Sequence, residues 1–185
     1  MNQPQATSAT VVPYAAVATD PSVQAALDAV FFSSSNTKTF ENDAARLAFR
    51  ERWLGRFLQH YPDCCFVAID ADGRAVGYIC GSLQNPARDP RFADQPHFSH
   101  FAALTPAFPA QLHVNLAEGT RGRGIGRLLI EALAAHASAA GAPGIHAISS
   151  RGARNLGFYV ANGFAEAGSA SIGGKELVFL GHSLR

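Results

Sequence analysis

Six consecutive residues, Arg121-Gly122-Arg123-Gly124-Ile125-Gly126, alternate charge with minimal side chains in front of a stretch rich in Ala and Leu. Glycines remove the Cβ atoms that would hold an anion at a distance, and the alternate arginines supply charge-assisted hydrogen bonds. An abrupt helix start adds unsatisfied N–H groups and the positive end of the helix dipole. Such a turn binds phosphate, so the ligand implied is a pyrophosphate or a similar anion. Two common phosphate motifs do not fit. A P-loop needs Gly-x-x-x-x-Gly-Lys-Ser/Thr, yet Gly119 to Gly124 leads to Ile125 and Gly126, without the lysine or the magnesium-holding hydroxyl. A dinucleotide turn needs Gly-x-Gly-x-x-Gly and an acidic residue ~20 positions on; here the spacing is wrong and the distant position holds His146.

Other reactive side chains are few. Asn155 and Tyr159 are one helical turn apart and share a face. His113 is the titratable group of the run Gln111 to Ala117, where no carboxylate stands to act as a base, and its ordinary pKa near ~6.5 suits proton transfer. Alternation puts Leu112, Val114 and Leu116 on one face of that strand and Gln111, His113 and Asn115 on the other. His97 and His100 have a metal-like spacing but no carboxylate company, and no metal is expected.

These residues need elements to position them. Thr10 to Val17 reads as a strand, and Asp20-Pro21 as an N-cap and first position of a helix reaching Phe32. Glu41 to His60 carries apolar residues at helical spacing. Cys64 to Asp70 and Ala75 to Leu83 read as strands joined by a turn that contains Asp72-Gly73. Gln84 to Pro109, rich in proline and without a period, is a long irregular segment of the kind that forms a lid or one wall of a substrate pocket. A strand at Gln111 to Ala117, a helix at Gly124 to Ala140, a strand at Ile145 to Ser149 and a helix at Arg151 to Asn162 follow, the last stopped by Gly163. Phe164 to Ser169 and Glu176 to Leu180 are the final strands. The order βααβββαβαββ implies a mixed α/β sheet with helices on both faces.

The 185 residues, 48% apolar, are expected to form one domain over residues 10–185 behind a loose tail at residues 1–9. A net charge of +1 gives no global field toward nucleic acid or membrane, so any anion is met locally. Cys64, Cys65 and Cys80 form no CxxC pair and read as reduced thiols of a cytoplasmic protein. No signal peptide or membrane span is expected.

The Arg121 to Gly126 run resembles the cofactor motif Arg/Gln-x-x-Gly-x-Gly/Ala of the GNAT superfamily of N-acetyltransferases. Asn155-Leu156-Gly157-Phe158-Tyr159 with Asn162-Gly163-Phe164 is similar to that superfamily's next helix and strand, and the likeness covers nearly the whole chain. Within the superfamily, Phe31-Phe32-Ser33-Ser34, Arg52-Trp53-Leu54-Gly55, Pro109 to Asn115 and Gly144-Ile145-His146 look most similar to the acetyltransferase-like domain of bacterial proteins and animal O-GlcNAcases.

The resemblance implies acetyl-CoA as co-substrate and an amine, small or peptidic, as acceptor. It places the pyrophosphate on the amides of Gly122 to Gly126, including those of Arg123, Gly124 and Ile125, with Arg121, Arg123 and Arg127 as charge partners. The pantetheine arm would run by Leu116, with the thioester carbonyl against a backbone N–H near Asn115 or Leu116. Tyr159 would be the general acid, and Asn155 with its neighbour Phe158 would meet the cofactor. Three catalytic candidates result: Tyr159, His113 and Asn115. The rival is a binding module without turnover, because the animal domain it resembles lacks a working cofactor site. A monomer, or a homodimer through the last strands, is expected.

Overall fold

The computed structural model describes residues 9–185. Apart from Ala9, the expected N-terminal tail lies outside them. Seven strands form one mixed sheet in the order β1-β2-β3-β4-β5-β7-β6. They are β1 (Thr10–Pro13), β2 (Phe66–Ile69), β3 (Ala75–Ser82), β4 (Ala110–Leu116), β5 (Gly144–Ser150), β6 (Ala165–Ile172) and β7 (Lys175–Ser183). The α-helices are α1 (Pro21–Ser34), α2 (Asp43–Arg50), α3 (Arg56–His60), α4 (His97–His100), α5 (Ile125–Ala139) and α6 (Asn155–Ala161). Against the expected order, the second helix is divided and one short helix is added within the long irregular segment.

The described chain divides into two compact units, residues up to 80 with 114–133, and residues 81–113 with 134–185. In the first unit, α1 starts where Asp20 accepts from the Ser22 N–H at 2.8 Å, with Pro21 at its first position. Asn42 caps α2 in the same way, accepting from Ala45 N–H at 2.8 Å. Arg50 Nε meets Asp28 Oδ1 at 2.7 Å and ties α2 to α1. A π-helical turn at Glu51–Gly55 then shifts the register before α3. Leu27, Phe31, Leu54 and Phe57 are buried, each side chain contributing about 1.5–3 kcal/mol by leaving water. The β2–β3 hairpin closes as expected: Asp70 Oδ1 accepts from the N–H groups of Asp72 and Arg74, and Gly73 takes φ +79°.

The second unit is built around β7, which is antiparallel to both β5 and β6. Phe108 lies against two glycines there. A Cβ on Gly181 would come within 2.7–2.8 Å of the Phe108 ring, and one on Gly144 would meet that ring at 2.6 Å and the Ala107 carbonyl oxygen at 2.7 Å. Backbone cannot step aside as a side-chain tip can. Gly144→Ala is therefore expected to lower stability by about 2 kcal/mol, read from the urea midpoint. An unchanged midpoint would contradict this packing.

Arg151 is drawn into the sheet rather than beginning the next helix. Its guanidinium holds Glu166 through two bonds of 2.7 Å and Glu176 at 3.0 and 3.1 Å, while its N–H bonds to the Glu176 carbonyl at 2.8 Å. The expected Arg151 to Asn162 helix accordingly starts at Asn155. Gly163, at φ +86°, follows it as the expected helix stop.

Candidate active site

In the first unit, Ala117 N–H bonds to the Val76 carbonyl at 2.9 Å. Successive residues of an extended strand turn their backbone groups to opposite edges, so the N–H of Leu116 faces away from β3. On that edge its own carbonyl accepts from Ser34 Oγ at 3.2 Å. The Asn115 side chain is already engaged, since Nδ2 donates to Tyr78 Oη at 2.8 Å. Gly77 leaves room for this strand end, because a Cβ there would lie 2.5 Å from Leu116 Cδ2 and 3.0 Å from the Asn115 carbonyl oxygen.

Beyond β4, Thr120 folds the chain back by donating through Oγ1 to the Ala117 carbonyl at 2.7 Å. Gly122 and Gly124 take φ +76° and +81°, and a Cβ on either would meet nothing within 4 Å. Left-handed backbone is what their missing Cβ permits, and the surface in front of them is open. Leu128 N–H to Gly124 C=O, at 3.2 Å, marks the first turn of α5. The amides before Leu128 have no carbonyl one turn back to bond, so those of Gly124 to Arg127 lack intrahelical partners; Gly124 and Arg127 are exposed, Ile125 and Gly126 buried. Ile125 is 1% exposed, so its side chain belongs to the core. Arg121 and Arg123 are exposed. Arg127 is directed along the helix instead, with Nε 2.7 Å from Glu131 Oε1.

In the second unit, β4 and β5 run parallel in register at Ala110↔Ile145 and Gln111↔His146. Paired residues of parallel strands share a face, which puts His146 on the side of Gln111 and His113. His146 Nδ1 donates to the Phe108 carbonyl at 2.6 Å, and its ring stacks on Phe179 at 4.5 Å. Burial holds His113 and His146 at a pKa of about 4, with nearby imidazoles pressing the same way, and His97 is lowered to about 4 by its own burial. His113 is therefore neutral at physiological pH and a weak proton acceptor.

Asn155 opens α6 on the surface, and its Oδ1 accepts from Ser149 Oγ at 2.7 Å. Tyr159 is 5% exposed and meets the rings of Phe158 and Phe164 edge-on at 5.4 and 5.5 Å. Among the named candidates, Asn115, Leu116 and Arg121 to Arg127 thus share the first unit, and His113, Asn155, Phe158 and Tyr159 the second. Among the described residues, no cluster of three or more His, Cys, Asp or Glu could hold a metal, and no helix is long and apolar enough to cross a membrane.

Residues 29–164 match the model of the acetyltransferase (GNAT) family. The chain belongs to that family. Solved structures agree at the level of fold. SsHAT is 22% identical, with 96% of this chain and 99% of that one covered and a TM-score of 0.75. An N-acetyltransferase from Staphylococcus aureus Mu50 is 18% identical over 96% and 99%, with a TM-score of 0.63. The NatC complex bound to Gag peptide and CoA is 13% identical over the same shares, with a TM-score of 0.65.

Acetyltransferases of the GNAT fold use acetyl-CoA, and the residues here fit such a group. Two left-handed glycines with open space before them precede a helix start whose amides lack intrahelical partners. That Ser34, Tyr78 and Ser149 hold Leu116, Asn115 and Asn155 was not signalled by the sequence. Two of them lie 82 and 37 positions from their partners, beyond any local pattern.

Proposed function

We propose that this GNAT-family acyltransferase moves an acetyl group from acetyl-CoA to an amine by direct transfer. The observation that carries the reading is the open glycine turn at the head of α5, one short loop beyond the end of β4. When bound, acetyl-CoA supplies an acyl thioester. In this reading, Gly122 to Gly126 present amides to the diphosphate, with Arg121 and Arg123 adding charge. Arg127 contributes less, because Glu131 already engages it. Of the two backbone candidates for polarising the acyl carbonyl, Leu116 is preferred, since its N–H faces away from β3 while alternation along the strand turns that of Asn115 toward it.

Tyr159 Oη holds the proton that a departing thiolate requires, and Asn155 and Phe158 contact the cofactor arm. His113 accepts a hydrogen bond from the amine in its neutral form, its low basicity making it a poor final store for the proton. Tyr159→Phe is expected to reduce kcat ~10²-fold with little change in KM for acetyl-CoA. Equal kcat values for the two proteins would remove Tyr159 from the reaction.

The Phe31 to Ser34, Arg52 to Gly55, Pro109 to Asn115 and Gly144 to His146 runs support placement beside the acetyltransferase-like domains of bacterial proteins and animal O-GlcNAcases. One domain over residues 10–185, a cytoplasmic setting, and a monomer or homodimer complete the proposal; nucleic acid and membranes have no part in it. A second reading, a binding module without turnover, draws support from the burial of Tyr159 among aromatic rings.

Calorimetric titration with acetyl-CoA, followed by an amine-library screen monitored through thiol release, separates these readings. Tight binding with acceptor-dependent thiol release is expected. Binding without turnover would favour the module, and no binding at millimolar acetyl-CoA would end both the enzyme assignment and its site.

A further inference from the structure

Ser149 stands near the end of β5, opposite Val178 of β7, and is 9% exposed. Its hydroxyl has one proton, and that proton is given to Asn155 Oδ1 at 2.7 Å. Between the two residues, and at the residue just after them, the chain is tied down at several points. Ala153 N–H bonds to the Ser150 carbonyl at 3.0 Å, Leu156 N–H to the Ala153 carbonyl at 3.1 Å, and Arg151 is held by Glu166 and Glu176. Arg154, which precedes Asn155 at the head of α6, makes no side-chain cap, so the Ser149 bond orients a side chain at an otherwise uncapped helix start.

A side-chain amide left alone at a surface samples both orientations, offering a carbonyl or an NH₂ to an incoming ligand. Here the carbonyl end is engaged by Ser149, which turns Nδ2 and its two donors outward. We infer that Ser149 is a positioning residue: it orients the Asn155 amide so that Asn155 acts as a hydrogen-bond donor toward the carbonyl-bearing arm of the cofactor. This rests on the proposed acetyl-CoA reading, and specifically on Asn155 meeting that arm. The arm of a CoA thioester carries amide carbonyls, which accept and so match an outward NH₂ group.

The test compares Ser149→Ala, Ser149→Thr, Asn155→Ala and the double variant by calorimetric titration with acetyl-CoA and by steady-state kinetics, with melting temperature as a check on folding. Ser149→Ala is expected to weaken acetyl-CoA binding about fivefold and to raise its KM alike, with kcat unchanged, the loss of one oriented hydrogen bond. Ser149→Thr keeps the hydroxyl and is expected to restore affinity. The double variant should bind no more weakly than Asn155→Ala alone, because Ser149 acts through Asn155. In the free protein, the Asn155 side-chain amide resonances should shift on Ser149→Ala, a readout independent of turnover.

Weakened binding in Asn155→Ala with normal binding in Ser149→Ala would overturn the inference and leave the cofactor reading standing. Additive losses in the double variant, or failure of Ser149→Thr to restore affinity, would overturn it too. If Asn155→Ala binds acetyl-CoA normally, the role of Asn155 fails and the inference with it. No acetyl-CoA binding by the unaltered protein would instead sink the reading on which both stand.

Discussion

Replacing Gly124 by Asp is expected to weaken acetyl-CoA binding severely while leaving the protein folded. Gly124 has φ +81°, and a Cβ at that position meets no atom within 4 Å, so the cost of the change to folding is the left-handed backbone alone, ~1–2 kcal/mol. The cost to binding is larger. A carboxylate projects into the space the diphosphate would occupy and opposes its charge at a helix start that favours anions. The expected affinity loss is at least ~10³-fold, read by calorimetry. Gly141→Asp is the matched control, because Gly141 also has φ +81° and open surroundings but follows α5 rather than preceding it. It should show a similar stability loss with full affinity. Unchanged acetyl-CoA affinity in Gly124→Asp would refute the loop assignment.

Stability should fall steeply between pH 6.5 and 4. His113 and His146 have folded pKa values of about 4 against 6.5 for an unconstrained imidazole, chiefly because burial penalises the charged ring. In that window the unfolded chain binds protons that the folded chain refuses. The stabilisation is therefore complete above pH 6.5 and is lost as pH falls toward 4, by several kcal/mol for the two rings together. His97, with Asp94 and His100 beside it, adds to the same trend but is less enclosed. Glu166 and Glu176 are lowered as well, chiefly by the hydrogen bonds that the Arg151 guanidinium gives their carboxylates, so what they contribute is lost only at lower pH, below the ordinary carboxylate range. Urea unfolding at pH 7, 5.5 and 4.5 checks the slope, and His146→Gln should flatten it. A midpoint that holds steady from pH 7 to 5 would contradict the burial of these rings.

Much of the fold could be read from local chemistry. Asp20-Pro21, the Asp70 to Arg74 turn and Gly163 act within a few residues of themselves, and each ends or begins an element where expected. Departures arose where a distant partner, or a local turn without a marked sequence signal, decided. Arg151 leaves the helical pattern because Glu166 and Glu176 compete for it. The Pro62–Cys64 turn delays β2 until Phe66. The amphipathic run from Glu41 to His60 signals helix throughout, but hydrophobic spacing does not specify the π turn at Glu51–Gly55.

The candidate site was legible to the same degree. The left-handed glycine turn was readable because the binding geometry proposed for it lies in its own backbone. What the side chains of Asn115, Asn155 and His113 do depended on partners that pairing and packing select. Asn115 is engaged by Tyr78 and Asn155 by Ser149, while His113 sits in surroundings that suppress its charge. None of these follows from residue type or spacing.

The placement of β7 between β5 and β6 also governs the order in which the molecule can assemble as it is made. β5 pairs with β7 from Gly144↔Ser183 to Ser150↔Leu177, and β6 pairs with the same strand. Until residues 175–183 have emerged from the ribosome, the β7-facing edge of β5 waits without that partner and β6 has no neighbour through which to enter the sheet. A nascent chain stalled before Lys175 would expose that edge, and it is then that chaperone capture or aggregation should be greatest.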